Sequence, residues 1–444
     1  MTTDGINLRE LSLFVLLAVE KDKEYCSAAL AAVLDKYQYL SKKERSFVTR
    51  LAEGTLEKQI ELDYIIELFS KIKIKKMKLV IRCILRMGVY QFKYMDAVPD
   101  SAACNEAVRL AKKKGFGNLT GFVNGVLRSV ARNLDAIPYP KEGENPLYAL
   151  SVKTSIPEWI LTQWGRDYGK EKAKSIAEAF GKESRTGVRA NRMKISPAKL
   201  KNALRERGFS AEPAVLKEYP DFDYAMYLSG YDYLSAIPEF LEGMFFVQDI
   251  CSMLVTHLAR PKPSDYVIDV CSAPGAKSLH AAEWVSGGGF VEARDISEYK
   301  TSLVEENIRR CGAENIRTKV WDARMRDEDS IEKADLVIAD LPCSGLGTMQ
   351  KKPDIRYRMT EDMEKSLALL QREILNVAAD YVKPGGTLVF STCTIDRMEN
   401  EENAIWFLEK KPEFSLDMER QFFPDEGEYD GFYIAKFIKN QRKL

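Results

Sequence analysis

Residues 266–277 read YVIDVCSAPGAK, and this stretch decides the fold of the C-terminal half of the chain. Its first five residues form a short apolar run that is typical of a buried strand. The loop that follows contains small residues and one glycine, and a helical pattern begins after it. Such a loop lets a ligand approach the backbone closely at the carboxyl end of a strand. The stretch therefore predicts the first strand–helix unit of a ligand-binding sheet.

Further strands follow downstream of this unit. Apolar or β-branched runs lie at residues 289–293, 316–320, 336–340 and 387–391, with helical segments between them. Alternating strands and helices predict a parallel, doubly wound α/β sheet of the Rossmann-like type. The helix before the last strand is expected to stop at Lys383-Pro384-Gly385-Gly386.

Upstream of the sheet, the first part of the chain has a helical pattern throughout. Residues 8–134 repeat apolar side chains at three- and four-residue spacing, which predicts an all-α bundle of about six or seven helices. We expect breaks between these helices at Ser41-Lys42-Lys43, at Gly54 and at residues 114–117.

The middle of the chain differs from both of its neighbours. A proline-rich segment at residues 136–146 indicates a linker, and residues 151–245 then mix short helices with strand-like pieces at 186–193 and 231–235. We therefore predict a multidomain protein with three domains. They are an all-α helical bundle over 1–140, a small α+β linker domain over 141–245 and the α/β domain over 246–444.

The net charge is zero, with 66 Lys+Arg and 66 Asp+Glu, but the charges are distributed unevenly. Residues 1–200 carry 35 basic and 23 acidic side chains, whereas residues 201–444 carry 31 and 43. A basic first part favours a polyanion partner, although ordinary variation between domains would give the same numbers.

Composition argues against several classes of protein. The most apolar early run, Leu11–Val19, is too short to span a bilayer, which takes about 20 residues. No secretory leader is recognisable, so we expect a cytoplasmic protein without a membrane partner. The eight cysteines form no C-x-x-C pair, and only two histidines accompany them. We therefore expect no metal site and no disulfide framework.

Aspartates follow or end four of the predicted strands, at positions 269, 295, 322 and 340. A carboxylate about 20 residues beyond a glycine loop can accept hydrogen bonds from both hydroxyls of a ribose. The loop is neither a Walker loop nor G-x-G-x-x-G, so nothing in it would hold a triphosphate. These features together indicate an adenosine-containing ligand, and S-adenosylmethionine fits.

Two cysteines follow neighbouring predicted strands. Cys343 lies in Asp340-Leu341-Pro342-Cys343-Ser344-Gly345, and Cys393 lies in Ser391-Thr392-Cys393-Thr394. A single cysteine is most often a small buried hydrophobe. Two of them beside a glycine loop and an aspartate form a plausible nucleophile site without histidine. Addition of a thiolate to an electron-poor pyrimidine ring is the reaction that such a site could catalyse.

With these motifs in place, the chain resembles the S-adenosylmethionine-dependent RNA methyltransferases that make 5-methylcytosine. Within that class it is similar to the bacterial 16S rRNA enzymes of the RsmB/Sun/Fmu family. The resemblance covers nearly the whole chain. It rests on Pro157-Glu158-Trp159, Arg189-Ala190-Asn191-Arg192, Gln248-Asp249, residues 269–277, residues 340–345, Pro353-Asp354-Ile355-Arg356, Pro384-Gly385-Gly386 and residues 391–394 with Glu399-Asn400-Glu401. Residues 105–108 and 121–128 also resemble the helical domain of the antitermination factor NusB, which the family carries as an RNA-binding domain.

The resemblance implies roles for individual residues. Cys393 would be the nucleophile that adds to carbon 6 of cytosine, and Asp340 would hold the ring at nitrogen 3. Cys343 would assist loss of the proton from carbon 5 and release of the enzyme. The residues implied to bind S-adenosylmethionine are Cys271, Ser272, Ala273, Pro274, Gly275, Ala276, Lys277, Asp295, Asp322 and Asp340. Ala276 stands where the family usually has a second glycine, which puts cofactor affinity in question because a methyl group disfavours positive φ.

The implied partner is 16S rRNA, either naked or in an early assembly intermediate, and we expect a monomer. RNA contacts are expected on the helical domain and at basic or polar positions elsewhere. These positions are Arg189, Asn191, Arg192, Lys351, Lys352, Arg356 and Arg358. Two alternatives stay open: the same chemistry on tRNA or 23S rRNA, and a non-enzymatic RNA-binding module with a vestigial sheet.

Overall fold

The computed structural model describes residues 7–182 and 185–441. The chain forms two compact units. The helical unit comprises Met1–Lys182 with Met349–Arg358, and the sheet unit comprises Glu183–Thr348 with Met359–Leu444. The three domains predicted over 1–140, 141–245 and 246–444 remain a prediction. Within the described residues, every helix is too short or too polar to cross a bilayer.

The helices and strands of the described residues are numbered here in chain order. The helices are α1 (Leu8–Lys21), α2 (Cys26–Lys36), α3 (Lys42–Glu57), α4 (Gln59–Phe69), α5 (Leu79–Tyr94), α6 (Asp100–Lys113), α7 (Thr120–Asn133), α8 (Pro146–Thr154), α9 (Glu158–Tyr168), α10 (Lys170–Ala179), α11 (Pro197–Glu206), α12 (Pro238–Leu241), α13 (Ile250–Ala259), α14 (Ala276–Trp284), α15 (Glu298–Cys311), α16 (Ile355–Arg358), α17 (Glu361–Tyr381) and α18 (Glu401–Lys410). The strands are β1 (Thr186–Ala190), β2 (Ser210–Pro213), β3 (Ala225–Ser229), β4 (Phe245–Val247), β5 (Tyr266–Asp269), β6 (Phe290–Asp295), β7 (Ile316–Val320), β8 (Ala334–Asp340), β9 (Val382–Thr392), β10 (Phe414–Phe422) and β11 (Phe432–Lys439).

The first seven helices form a bundle around one hydrophobic core. Polar caps fix their ends: the Asn7 side chain accepts from two amides at the start of α1, and Ser41 forms a capping box with Glu44 at the start of α3. The break predicted at Gly54 is wrong, because Gly54 lies inside α3. A Cβ at Gly54 would overlap the ring of Tyr90, so close packing between α3 and α5 requires a glycine here.

A small antiparallel sheet in the order β2-β3-β1-β4 lies in the sheet unit, with α11 beside it. The strand expected at 231–235 is wrong. The strand is β3 instead, and Gly230 follows its end with a φ of 88°. Residues Leu234–Ala236 form a turn of 3-10 helix. The sequence therefore placed this strand several residues too late.

The large sheet has seven strands in the order β10-β11-β9-β8-β5-β6-β7. Strands β7, β6, β5, β8 and β9 run parallel, as predicted, and their carboxyl ends meet at one edge. Strands β10 and β11 are antiparallel additions beside β9 that the sequence did not predict. The alternation of strand and helix stops at α18, and the next two strands follow one another without a helix.

The helix stop predicted at Lys383–Gly386 is displaced. Helix α17 ends at Tyr381, and residues 383–386 already belong to β9. The pairing of β8 with β9 shifts register here, between Ala334↔Val382 and Leu336↔Thr387. Gly385 has a φ of 80°, which a glycine adopts without strain and which accommodates this irregularity.

Candidate active site

The loop between β5 and α14 bends sharply around a glycine. Gly275 has a φ of 104°, and its amide donates a hydrogen bond to the carbonyl of Ser272. The peptide bond between Ala273 and Pro274 is cis. Ala276 is the first residue of α14 and has no positive φ, so a methyl group is compatible with its backbone. The position of this loop that requires a glycine is Gly275, one residue before the departure from the usual motif.

Two polar atoms of this loop region are buried without a hydrogen-bond partner among the described residues. They are Oδ1 of Asp269, which is 1% exposed, and Oγ of Ser272, which is 5% exposed. The other carboxylate oxygen of Asp269 accepts from the Ser278 hydroxyl at 2.5 Å. Burial raises the pKa of Asp269 to about 7. Buried polar atoms without partners are costly, so this loop has the features of a site for a polar ligand.

Asp295 ends β6 and holds the loop in place. One of its oxygens accepts from the Ala273 amide at 2.9 Å, and the other accepts from the Ile296 amide at 2.8 Å. The Lys300 ammonium lies 3.1 Å from the second oxygen. Asp322, beyond β7, is paired with Arg324 at 2.6 Å, and hydrogen bonding to that guanidinium lowers the pKa of Asp322. The Trp321 amide beside Asp322 donates to the carbonyl of Asp295, so the two aspartates lie on adjacent strand ends.

Asp340 ends β8 and is fixed from two sides. Its Oδ2 accepts from the Lys277 ammonium at 2.7 Å, and its Oδ1 accepts from the Ser391 hydroxyl at 2.7 Å. Ser391 is the register partner of Asp340 on the neighbouring strand. Two charge-assisted hydrogen bonds therefore orient this carboxylate between the glycine loop and the end of β9.

The two predicted cysteines lie together. The Sγ atoms of Cys343 and Cys393 are 3.4 Å apart. The hydrogen bond to Cys393 is the largest cause that raises the pKa of the Cys343 thiol well above its usual value, and burial adds to it. Either thiol can donate this hydrogen bond to the other sulfur.

A polar network fixes the turns that carry these cysteines. The amide of Ser344 donates to Glu399 at 3.0 Å, and the hydroxyl groups of Ser344 and Thr394 lie 2.6 Å apart. The Gln371 amide group donates to Glu399 and to the carbonyl of Pro342, both at 2.9 Å. Burial raises the pKa of Glu399 to about 8, with the nearby Asp396 as the next cause.

Comparison with known proteins identifies the family. The family model described as 16S rRNA methyltransferase RsmB/F matches residues 256–438. The probable ribosomal RNA small subunit methyltransferase B of Bacillus subtilis is 36% identical over 451 residues, which cover 98% of this chain and 99% of that protein. The chain belongs to the RsmB/F family. It is an rRNA methyltransferase, which confirms the resemblance seen in the sequence.

Other matches of this RsmB/F-family chain agree with its three predicted fold types. The NusB family model matches residues 6–132, and the ferredoxin-like domain model of RsmF/B-type methyltransferases matches 156–219. The probable ribosomal RNA small subunit methyltransferase B of Synechocystis is 32% identical over 98% of this chain and all of that protein. The crystal structure of PH0851 has the same fold, with a TM-score of 0.81, 24% identity and coverage of 98% and 99% of the two chains. The predicted fold class is confirmed.

The structure brings most predicted site residues to the carboxyl edge of the parallel strands. Asp340 links Lys277 of the loop to the end of β9, and Cys343 contacts Cys393 directly. Cys271 is partly buried, and the loss of solvation raises the pKa of its thiol. The roles of these residues stay a prediction.

Three residues that were expected to contact RNA are buried in the protein. Arg189, Asn191 and Arg356 are 1%, 3% and 1% exposed. Arg189 pairs with Glu283, and Asn191 donates to backbone carbonyls, as does Arg356. The prediction of RNA contact is wrong for these three, because each of them hydrogen-bonds inside its own unit.

Sequence reasoning assigned no role to Glu399 or Gln371. Glu399 lies in a motif that carried the resemblance, whereas Gln371 lies on α17 without any local signal. Glu399 also lies beside Glu364 and Asp396, and one carboxylate oxygen from each of the three residues lies within 4.8 Å of the other two. The sequence predicted no metal site here. Burial, followed by the nearby Asp396, raises the pKa of Glu399 to about 8, so this carboxyl keeps its proton at neutral pH.

Proposed function

We propose that the protein methylates carbon 5 of a cytosine in 16S rRNA, with S-adenosylmethionine as methyl donor and Cys393 as a covalent nucleophile. The observation that carries this proposal is the contact of the two thiols beside an oriented carboxylate. Cys343 and Cys393 lie 3.4 Å apart, and Asp340 is held by Lys277 and Ser391 at the adjacent strand end. Membership of the RsmB/F family supplies the class of RNA substrate.

The residues present fit the cofactor. The unpartnered oxygens of Asp269 and Ser272, within the described residues, offer hydrogen-bonding sites to a polar ligand at the glycine loop. The Asp295 carboxylate has further lone pairs with which to accept from ribose hydroxyls, and Asp322 would lie near the adenine. Bound S-adenosylmethionine would supply the methyl group as an electrophile. The other loop residues, Cys271 to Lys277, would surround its methionine and ribose parts.

The protein side chains would act on the base in sequence. The Cys393 thiolate adds to carbon 6, which makes carbon 5 nucleophilic, and Asp340 holds the ring at nitrogen 3. After methyl transfer, Cys343 assists removal of the proton from carbon 5, and Cys393 leaves by β-elimination. The 3.4 Å contact between the two sulfurs supports this division of roles, because both thiols can then reach the same base. The target base would have to leave its stack to reach both thiols.

The experiment that tests this proposal is methyl transfer by Cys393→Ala. We expect loss of activity by at least about 10³-fold. Among the hydrogen bonds of the described residues, Cys393 is the nucleophile that contacts Cys343, so the variant has no replacement for it at this position. Cys311→Ala is a matched control that removes a buried thiol from the C-terminal end of α15. Wild-type turnover by Cys393→Ala would contradict the proposal.

The choice of RNA is tested separately. Bisulfite sequencing of total RNA from cells with and without the gene reports every 5-methylcytosine that depends on the protein. Loss of a site in 16S rRNA is the expected result. Loss of sites in tRNA or 23S rRNA alone would identify the alternative substrate, and no lost site at all would favour a non-enzymatic module.

A further inference from the structure

A short segment that follows the Cys343 turn belongs to the helical unit. Residues Met349–Arg358 are part of that unit, whereas the chain just before and just after them is part of the sheet unit. We call residues 349–358 the inserted segment. It begins six residues after Cys343 and contains α16. The helical unit is therefore joined covalently, over a few residues, to the turn that carries one of the two thiols.

Arg356 holds the start of the inserted segment. Its side chain is buried, and its guanidinium donates to the carbonyl of Met349 at 2.9 Å. The same guanidinium donates to the carbonyls of Thr154 and Ser155, both at 3.4 Å. Helix α8 ends at Thr154, and the last carbonyls of a helix have no partner within the helix. Arg356 thus ties the first residue of the inserted segment to the end of α8.

Tyr357 and Asp354 hold the rest of the inserted segment. The Tyr357 hydroxyl donates to the carbonyl of Ser155 at 2.9 Å. The Asp354 carboxylate accepts from the amide of Cys26, the first residue of α2, at 3.3 Å. Among the described residues, Tyr25 is the N-cap of α2 but gives it no side-chain hydrogen bond, so Asp354 supplies the acceptor instead. Three side chains of the segment are therefore bonded to the backbone of the helical unit.

The residue on the other side of this connection is fixed in the sheet unit. The Gly347 amide donates to the carbonyl of Cys393 at 3.1 Å, and the Gly347 carbonyl accepts from the Gly431 amide at 2.9 Å. A Cβ at Gly347 would overlap the Gly431 carbonyl and lie 2.8 Å from the Cys393 carbonyl, so the backbone is closely packed here. Thr348 alone separates Gly347 from Met349. A shift of the inserted segment would therefore reach the residue that bonds to the backbone of Cys393.

We propose that Arg356 and Tyr357 are positioning residues for methyl transfer. By holding the inserted segment on the helical unit, they fix the turn from Cys343 to Gly347 and, through Gly347, the backbone of Cys393. The inference rests on the proposed function, which supplies the reaction. It gives the helical unit a part in the chemical step that is separate from any binding of RNA. Small displacements of reacting groups lower rates strongly, so a loosened segment should slow the step that needs both thiols.

The first test is methyl transfer to a 16S rRNA transcript by full-length variants. Arg356→Lys keeps the charge but loses the fork that reaches three carbonyls, and Tyr357→Phe loses the hydroxyl alone. We expect kcat to fall about tenfold in Arg356→Lys and about threefold in Tyr357→Phe, because the turn is held less firmly. The KM for RNA and the Kd for S-adenosylmethionine should stay within about twofold of the wild type, since neither side chain binds these ligands in this account.

The second test needs neither RNA nor cofactor. Hydrogen exchange of the free protein reports how often the backbone around Gly347 opens. In both variants the amides of residues 344–349 should exchange faster than in the wild type, by at least about fivefold for the Gly347 amide that is bonded to Cys393. A side chain that only stabilises the helical unit would not change exchange at this turn.

Matched controls come from other parts of the helical unit. Tyr64→Phe removes a hydroxyl that donates to the carbonyl of Pro138, and Arg9→Lys changes a guanidinium that donates to Gln91 at 2.7 Å. Both controls lie outside the inserted segment and should keep the wild-type kcat and the wild-type exchange of residues 344–349. Equal losses of kcat in the controls would overturn the proposal, because they would reflect general loosening of the helical unit.

The remaining outcomes also decide the proposal. Wild-type kcat in Arg356→Lys and Tyr357→Phe would overturn it, and so would a higher KM for RNA at unchanged kcat, which would assign the segment to RNA binding. A lower kcat without faster exchange would contradict it as well, since the turn would then be fixed without these residues. A wild-type protein that makes no 5-methylcytosine would contradict the proposed function, whereas hydrogen exchange would still decide whether Arg356 and Tyr357 hold the turn.

Discussion

The carboxyl edge of the parallel strands has two halves that differ in how their polar groups are used. On the β5–β6 side, Asp269 and Ser272 each leave a buried oxygen without a partner among the described residues. On the β8–β9 side, Asp340 is held by Lys277 and Ser391. The first half is suited to accept hydrogen bonds from a ligand, whereas the second holds its own side chains in fixed positions.

The difference suggests a division between binding and chemistry. A group that reacts has to be oriented before the substrate arrives, and hydrogen bonds from neighbouring side chains provide that orientation. A group that binds a cofactor needs free hydrogen-bonding capacity instead. Substitutions on the β8–β9 side should therefore lower kcat, and substitutions on the β5–β6 side should weaken cofactor affinity.

The largest effect in this comparison is expected for Asp340→Asn. The amide keeps the size of the carboxylate but loses its charge, so kcat should fall about 10²- to 10³-fold through loss of stabilisation of the reacting base. The measurement is single-turnover methyl transfer with saturating cofactor. Asp322→Asn is the matched control, because that carboxylate is paired with Arg324 and lies outside the thiol network. Equal losses of kcat in the two variants would contradict the division of the sheet edge into a half that binds the cofactor and a half that carries the chemistry.

A smaller effect is expected for Asp295→Asn. The charged carboxylate would accept from ribose hydroxyls, and hydrogen bonds to charged groups contribute about 1.5–3 kcal/mol. The Kd for S-adenosylmethionine should rise about tenfold or more, while kcat at saturating cofactor changes little. Isothermal titration calorimetry measures the affinity. An unchanged Kd would show that Asp295 only holds the Ala273 amide.

The last effect concerns stability rather than rate. The Glu399 carboxyl has a pKa of about 8 in the fold, against 4.5 as its ordinary value. The folded state therefore binds a proton that the unfolded state releases. This lowers the free energy of unfolding as pH rises from about 4.5 to 8, by at most about 1.4 kcal/mol per pH unit.

Glu399→Gln should flatten this decline, because glutamine does not titrate. Denaturant unfolding of wild type and variant at pH 5, 6, 7 and 8 measures the difference. Asp362→Asn on α17 is a suitable control, since its carboxylate is 95% exposed. Parallel curves for the wild type and Glu399→Gln would mean that Glu399 is ionised throughout this range.

The sequence predicted the parallel part of the sheet because each strand there is a short apolar run followed by a helix. It predicted Asp340 and Cys393 near one another because carboxyl ends of parallel strands share an edge. It missed β10 and β11, which lack the alternation with helices that made the other strands recognisable. It could not predict that Arg189 and Asn191 are buried, since a basic or polar residue on a strand has no local pattern that reveals a partner such as Glu283.

The Ala276 departure shows how the structure sharpens a question raised by sequence. The missing second glycine suggested a problem with positive φ, but that conformation belongs to Gly275, and Ala276 begins a helix. Alanine is favourable at such a position. The contact between Cys343 and Cys393 was also beyond sequence reasoning, because it depends on the turns that Glu399, Gln371 and Thr394 fix in space.

The central claim is that Cys393 forms a covalent bond to the target base and that Cys343 is needed to break it. The most direct measurement is mass spectrometry of Cys343→Ala after incubation with S-adenosylmethionine and a 16S rRNA transcript, followed by denaturation and nuclease digestion. The account predicts a nucleotide adduct of methylated cytosine on the peptide that carries Cys393. Normal turnover by Cys343→Ala without any adduct, or an adduct on another residue, would contradict it.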